Sequence, residues 1–220
     1  MIFEKNTELG GVWASNRIYD GLTTNSPLLT YEIPGFPYPE SLRSSEKHVK
    51  AQDVNCYLRA YAERYDIVSC IRFGTSVENV SWDSQSSSWE VKGEARKQNF
   101  RENFSHVVVC SGLYNAKHWP WNTNQVSKFT GNIWHSSEVS SAKLQEILGK
   151  SETVVVVGGG KSALDLATIL ARGRCSGQTC ITPPLVKLVY RRPHWLSPRK
   201  ILRNTLPLEK LLFSRFVVSV

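Results

Sequence analysis

Residues 153–173 read TVVVVGGGKSALDLATILARG, and the change of period within this stretch decides the fold. Thr153 to Val157 is an unbroken β-branched run, which predicts a strand buried on both faces in a parallel sheet. From Ser162 onward the apolar residues Ala163, Leu166, Ala167, Ile169 and Leu170 recur at helical spacing, and Gly173 stands where a C-terminal stop belongs. Between the two lies Gly158-Gly159-Gly160-Lys161-Ser162-Ala163, which fits G-x-G-x-x-A. In that context Gly158 permits the tight turn, Gly160 lets backbone approach a diphosphate, and Ala163 lets the helix pack on the strand. The helix start adds unpaired N–H groups and a positive dipole end for phosphates. A strand-turn-helix with no ligand is the bland alternative.

The next strand bears on which dinucleotide is held. Val186-Lys187-Leu188-Val189-Tyr190 has a β pattern and ends at Arg191-Arg192. In such folds this position carries Asp or Glu for a ribose 2′-hydroxyl, whereas Arg accommodates a 2′-phosphate. No acid lies between Asp165 and Glu209. The pattern predicts NADPH over NADH, with Arg191 and Arg192 as the phosphate clamp. Either arginine taken singly could instead face only solvent.

Composition narrows the classes. With 220 residues and 41% hydrophobic content, the chain can bury one large or two small cores. No run reaches the roughly eighteen apolar residues of a membrane span, and the first residues lack a signal-peptide pattern. The expectation is a soluble, cytoplasmic protein. Five scattered cysteines lack zinc-site spacing and five histidines lack a ligand pattern, so thiols and no metal are expected. The net charge of +8 is concentrated late, because eight Lys and Arg from Lys187 onward face Glu209 alone. That segment could meet nucleic-acid phosphates or those of a small cofactor. With no nucleic-acid module present, no nucleic-acid partner is expected.

Elsewhere, Ala51 to Tyr65 places Val54, Leu58, Tyr61 and Ala62 on one helical face. Strand-like pieces at Ile67–Phe73, Val77–Trp82 and Ser88–Lys92 predict an antiparallel meander, with residues 84–89 at a hairpin tip. Phe104 to Cys110 reads as another buried strand, running into Ser111-Gly112 where the chain could pass close to a ligand. The chain opens on a short apolar strand followed by Glu4 and the Gly10-Gly11 loop. An acid just past a strand is where a dinucleotide fold holds a ribose.

Together these pieces resemble the flavin-containing monooxygenases, including their Baeyer-Villiger relatives. The matching segments are Glu4 with Leu9-Gly10-Gly11-Val12-Trp13, then Tyr19-Asp20-Gly21-Leu22-Thr23-Thr24-Asn25-Ser26-Pro27 and Phe36-Pro37-Tyr38-Pro39. Cys110-Ser111-Gly112 stands in place of Ala-Thr-Gly, and Phe129-Thr130-Gly131-Asn132-Ile133-Trp134-His135 matches F-x-G-x-x-x-H. The glycine loop at 158 follows, so the order is kept over nearly the whole chain.

The resemblance implies an α/β flavoprotein with two dinucleotide-binding domains. The expected division is a partial Rossmann-like FAD domain with the meander over 1–128, then a linker and partial NADPH domain over 129–220. It implies FAD and NADPH as cofactors, and O2 and a small organic molecule as substrates. Oxygen would be transferred through a flavin C4a-(hydro)peroxide, with water excluded by the protein. By the same resemblance Glu4 holds the FAD ribose, and Gly10, Gly11, Val12 and Trp13 line the flavin. Thr24 and Asn25 contact flavin and nicotinamide, Val77 meets the adenine, Gly112 lies close to the cofactor, Ser162, Ala163 and Asp165 match the NADPH loop and helix start, and His135 couples the domains. Against these stand simpler readings: Asn25 as a turn residue before Ser-Pro, Val77 as core, and His135 as a structural histidine in a turn.

Complete members place a strand and G-x-G-x-x-G roughly twenty residues ahead of that acid, and they continue beyond a point corresponding to Val220. The expectation is a chain truncated at both ends, with weakened flavin binding and exposed sheet edges. A flavin disulfide reductase relative shares the two-dinucleotide design but calls for a redox C-x-x-C or C-x-x-x-x-C pair, which is absent. A non-catalytic NADPH-binding remnant is the other alternative.

Overall fold

The computed structural model describes residues 1–43, 48–114, 116–119, 121, 126, 128–150, 153–175, 178–179, 183–191, 200–201 and 206–207. The chain divides into two compact units, one of Met1–Ser15 with Asn55–Pro120, the other of Asn16–Val54 with Trp121–Val220.

In the first unit, Ile2–Phe3 pairs in parallel with Ile71–Arg72. The Glu4 amide donates to the Arg72 carbonyl at 3.1 Å, and Thr75 N–H donates to the Glu4 carbonyl at 2.9 Å. Glu4 therefore sits just past the strand, as its sequence position requires. An antiparallel meander is present, but its strands are Thr75–Asp83, Ser88–Ala95 and Gln98–Phe104, the last of which the sequence reading does not contain. Its first turn is set by Asp83, whose carboxylate accepts from Gln85 N at 3.0 Å and Ser86 Oγ at 2.7 Å. Trp82 and Trp89 meet across the strands at 5.4 Å, and Phe3 stacks on Phe100 at 5.2 Å.

Two expectations for this unit are corrected. Residues 67–73 hold a 3-10 turn, Val68–Cys70, and only a two-residue strand, Ile71–Arg72. The cause lies upstream, where helix Ala51–Arg64 ends in a Schellman motif. Asp66 is left-handed at φ 52°, its N–H donates to Glu63, and Ile67 N–H donates back to the Ala62 carbonyl at 2.8 Å. That bond commits Ile67 to the helix end. The second correction concerns Phe104–Cys110, where the strand stops at Phe104 and residues 106–110 are irregular. Val108 and Val109 are 83% and 75% exposed. An apolar run becomes a buried strand only when neighbouring strands take its N–H and C=O groups, and no described strand pairs with it.

The second unit is built on the glycine loop. Thr153–Val157 pairs in parallel with Leu185–Val189, in register from Thr153 opposite Leu185 to Val157 opposite Val189. Helix Lys161–Arg172 is the crossover between them and stops at Gly173, φ 60°. Val154, Val156 and Val186 pack against Leu166 and Leu170 of that helix and against Leu144, Ile147 and Leu148 of helix Ser141–Lys150. The strand is not buried on both faces as its composition suggests. Val155, Val157, Leu185 and Val189 are 55%, 53%, 59% and 53% exposed. Burial of the second face needs another layer, and the described residues supply one layer only.

Residues far away in sequence complete this core. Tyr19 is buried among Leu144, Leu166 and Leu170. Tyr19 to Leu22 forms a turn closed by Leu22 N–H donating to the Tyr19 carbonyl at 3.1 Å. Gly21 has φ 86°, and a β-carbon there would lie 3.3 Å from Ile169 Cδ1, so the turn rests directly on the crossover helix. Asp20 is tied to Ser141, whose Oγ accepts from the Asp20 amide at 3.0 Å. Strand Thr23–Pro27 follows and pairs antiparallel with His48–Lys50. Among the described residues no helix is long and apolar enough to cross a membrane.

Candidate functional site

The glycine loop occupies the strand-to-helix junction that its spacing requires. Gly158 has φ 133°, a conformation L residues rarely adopt, and its N–H donates to the Val189 carbonyl at 2.8 Å. The loop is thereby pinned to the neighbouring strand. A β-carbon on Gly158 would stand 3.6 Å from Ala163 Cβ, an ordinary contact that shows how closely strand and helix approach. Gly160 is the helix N-cap, with extended backbone and no side-chain capping bond. The first turn therefore keeps the N–H groups that an α-helix cannot satisfy itself. A β-carbon on Gly160 would meet nothing within 4 Å, so the space over those N–H groups is open. This is the chemistry a diphosphate needs: donors without partners, a positive dipole end and room to approach.

Around the loop, Ser162 is exposed, and Asp165 binds the ammonium of Lys161 through Oδ2. Burial, with the Asp165 charge adding to it, pushes the Tyr19 phenol well above its ordinary value. Arg191 is exposed, two residues past the second strand. Arg192 lies outside the described residues.

The same unit carries Thr24, Asn25 and His135. Thr24 is buried, and its hydroxyl donates to the Ser26 carbonyl at 2.7 Å and accepts from Val49 N–H at 3.0 Å. That spends Thr24 on the strand's own geometry. Asn25, next along the strand, is exposed. His135 caps the short turn Ser136–Glu138: Nδ1 accepts from Ser137 N–H at 3.2 Å, and its own N–H donates to Glu138 Oε2 at 2.8 Å.

The other unit carries the remaining sequence-predicted residues. Glu4 Oε1 accepts from the Asn6 amide at 2.8 Å and Asn6 Nδ2 at 2.9 Å; both bonds fall on one oxygen. Gly10, φ 127°, and Gly11, φ 57°, turn the chain into the 3-10 helix Gly11–Trp13. Val12 is 43% exposed and Gly11 has nothing within 4 Å of a virtual β-carbon, so this loop also faces open space. Val77 lies on the meander opposite Gly93, beside a register shift. Gly112 has φ 76° in the exposed stretch after the meander.

Three supporting residues escaped the sequence reading. Asn55, buried, donates through Nδ2 to the Trp13 carbonyl at 2.7 Å and closes the double-glycine loop. Glu8 accepts from Ser15 Oγ and from Arg59, each at 2.5 Å, and fastens the same loop. An asparagine and an ion pair of this kind have no local pattern, and only the match of the flanking LGGVW segment could have drawn attention to them.

Comparison with known proteins gives these sites a context. The profile of the flavin-binding monooxygenase-like family matches residues 1–219. Mouse dimethylaniline monooxygenase [N-oxide-forming] 4 is 31% identical over 191 residues, covering 80% of this chain and 33% of the relative. Among solved structures, S-allyl-L-cysteine S-oxygenase from Allium sativum superposes with a TM-score of 0.66 at 21% identity, over 93% of this chain and 48% of that one. Cyclohexanone monooxygenase from Rhodococcus sp. Phi1, a variant bound to NADP+, gives 0.64 at 23%, over 89% and 34%. The chain thus spans about a third of the length of the mouse relative, and its fold is the α/β arrangement of the two-dinucleotide flavoprotein monooxygenases.

Proposed function

The chain belongs to the flavin-binding monooxygenase-like family, and on that premise we propose that it serves a flavin-dependent monooxygenase reaction using FAD, NADPH and O2. The substrate class is a small organic molecule with a nucleophilic nitrogen or sulfur, or a ketone. A cytoplasmic location goes with this reading. The observation that carries it is the glycine loop, whose positive-φ turn, uncapped helix start and open approach suit a dinucleotide diphosphate.

In this reading Gly158 and Gly160 admit the diphosphate, and the N–H groups at Ser162 and Ala163 donate to it. Ala163 keeps the helix close enough to do so. Arg191, with Arg192 beyond it in sequence, takes the 2′-phosphate, which favours NADPH over NADH. In the other unit Glu4 accepts from the FAD ribose through the oxygen that Asn6 leaves unused, while Gly10, Gly11, Val12 and Trp13 line the flavin. Val77 packs near the adenine, and Gly112 lets backbone approach the cofactor. When bound, FAD supplies hydride acceptance and oxygen activation, and NADPH supplies the hydride. Thr24 fixes the strand from which Asn25 presents its amide as a hydrogen-bond partner to the reacting flavin. His135 shapes the turn that leads into helix Ser141–Lys150 of the nicotinamide-binding unit.

Calorimetry on the folded 220-residue chain tests the core of this reading. Saturable heat with NADP+, stronger than with NAD+, is expected; no heat with either sinks it. NADPH-dependent oxygen consumption raised by an amine, thioether or ketone is the expected activity, and its absence in chain loaded with FAD would leave an NADPH-binding protein without the reaction.

A further inference from the structure

Asn6 lies two residues past Glu4 and turns both its backbone and its side-chain donor onto that carboxylate. Its N–H donates to Glu4 Oε1 at 2.8 Å, and its Nδ2 donates to the same oxygen at 2.9 Å. The chain at this point is already fixed without the side chain. Glu4 N–H donates to the Arg72 carbonyl at 3.1 Å, Thr75 N–H to the Glu4 carbonyl at 2.9 Å, and Gly74 N–H to the Asn6 carbonyl at 3.0 Å. What the Asn6 amide adds is a hold on the carboxylate, a group with three rotatable bonds that would otherwise sample several rotamers.

The hold is also one-sided. A carboxylate offers about four acceptor sites, two on each oxygen. Asn6 takes up those of Oε1, and among the described residues nothing donates to Oε2 and no cation pairs with Glu4. The half-buried side chain is thus oriented by neutral donors that leave one oxygen for O–H donors from a ligand. Ribose hydroxyls are donors of this kind.

We infer that Asn6 is a positioning residue for ribose recognition: it holds Oε1, so that Glu4 meets the ligand with Oε2 already placed and loses less rotamer freedom on binding. The inference rests on the reading of Glu4 as the FAD ribose acceptor, and it makes Asn6 a determinant of affinity for the adenosine half of that cofactor. No proton is transferred, and the Asn6–Glu4 bonds persist in the complex.

The test is titration of the full chain with FAD and, in parallel, with FMN, which lacks the adenosine half and therefore the ribose. Flavin fluorescence reads binding, and circular dichroism checks folding. Asn6→Ala removes the side-chain donor; Asn6→Asp keeps its shape but sets a like charge against Glu4. Asn6→Ala should weaken FAD binding about five-fold and Asn6→Asp about ten-fold, with FMN affinity held within about two-fold in both. A role confined to folding the loop would weaken FAD and FMN alike, because the flavin-lining Gly10–Trp13 segment follows directly, and that result overturns the inference. FAD binding that neither substitution weakens overturns it as well, and leaves the Glu4 assignment standing. If the unaltered chain binds no FAD, the Glu4 assignment fails and takes this inference with it.

Discussion

The amide nitrogen of Asn55 donates to the Trp13 carbonyl at 2.7 Å, and the same atom stands 2.9 Å from where a β-carbon on Gly10 would lie. One side chain thus both closes the double-glycine loop and excludes any larger residue from it. Asn55→Ala should leave the Trp13 carbonyl without its partner and cost about 1–3 kcal/mol. Gly10→Ala should cost at least as much, since φ 127° and the contact both oppose it. Denaturant unfolding checks this, and an unchanged midpoint in Asn55→Ala would remove the clamp from the account.

Gly158 and Gly160 answer to different requirements and should fail differently. Gly158→Ala meets no clash but must hold φ 133°, so it should lose about 1–3 kcal/mol of stability. Gly160 has an ordinary φ of −77° and open space, so Gly160→Ala should leave stability within about 0.5 kcal/mol. Its added methyl instead stands where the diphosphate approaches, and NADP+ affinity should fall. Thermal unfolding and NADP+ titration of both variants separate the two roles; a Gly160→Ala chain that binds NADP+ normally would contradict the placement of the ligand.

His135 caps a turn, and this makes its capping and coupling roles separable. Ser accepts from backbone N–H groups much as the His135 ring does, so His135→Ser should preserve stability while His135→Ala loses about 1 kcal/mol. If the histidine also couples NADPH oxidation to oxygenation, the Ser variant should remain folded yet release more hydrogen peroxide per NADPH consumed. Equal coupling in His135→Ser and the unaltered chain would reduce the residue to its cap.

Glu90 should make the meander acid-sensitive. It is buried beside Lys92 and Arg101, and the hydrogen bond from Lys92, followed by that from Arg101, holds its carboxyl below the ordinary glutamate value. A carboxylate with a depressed folded-state value stabilises the fold above its unfolded-state value, about 4.3, and that contribution is lost as pH falls further. Glu90→Gln should therefore be less stable than the unaltered chain at neutral pH, with the difference closing in acid. A difference that does not shrink between pH 7 and pH 3 would show that the ion pairs contribute nothing.

The parts legible in the sequence are those whose cause lies within a few neighbouring residues. The β-branched run at 153–157, the G-x-G-x-x-A spacing, the helical period and the Gly173 stop each act through local backbone preference, and all four hold in the structure. Helix Ala51–Arg64 and the paired strands Thr75–Asp83 and Ser88–Ala95 were readable for the same reason, whereas the third meander strand, Gln98–Phe104, was not. Arg191 could be placed just past its strand. The role of Asn55 could not be foreseen, because an asparagine becomes a clamp only when its helix is laid against a loop 42 residues earlier.

Burial and pairing were decided by tertiary structure alone. The valines of 153–157 have the composition of a two-sided strand, yet which face is covered depends on helices at 141–150 and 161–172 and on Tyr19. Of the apolar segment Phe104–Cys110, residues 105–110 form no strand, because a strand is a relation between two segments and this one has no described partner. The bonds between Asp20 and Ser141 join residues 121 apart in the chain. A sequence specifies what each segment can do at short range, whereas hydrophobic burial and backbone pairing are settled by whichever distant segment arrives to share them.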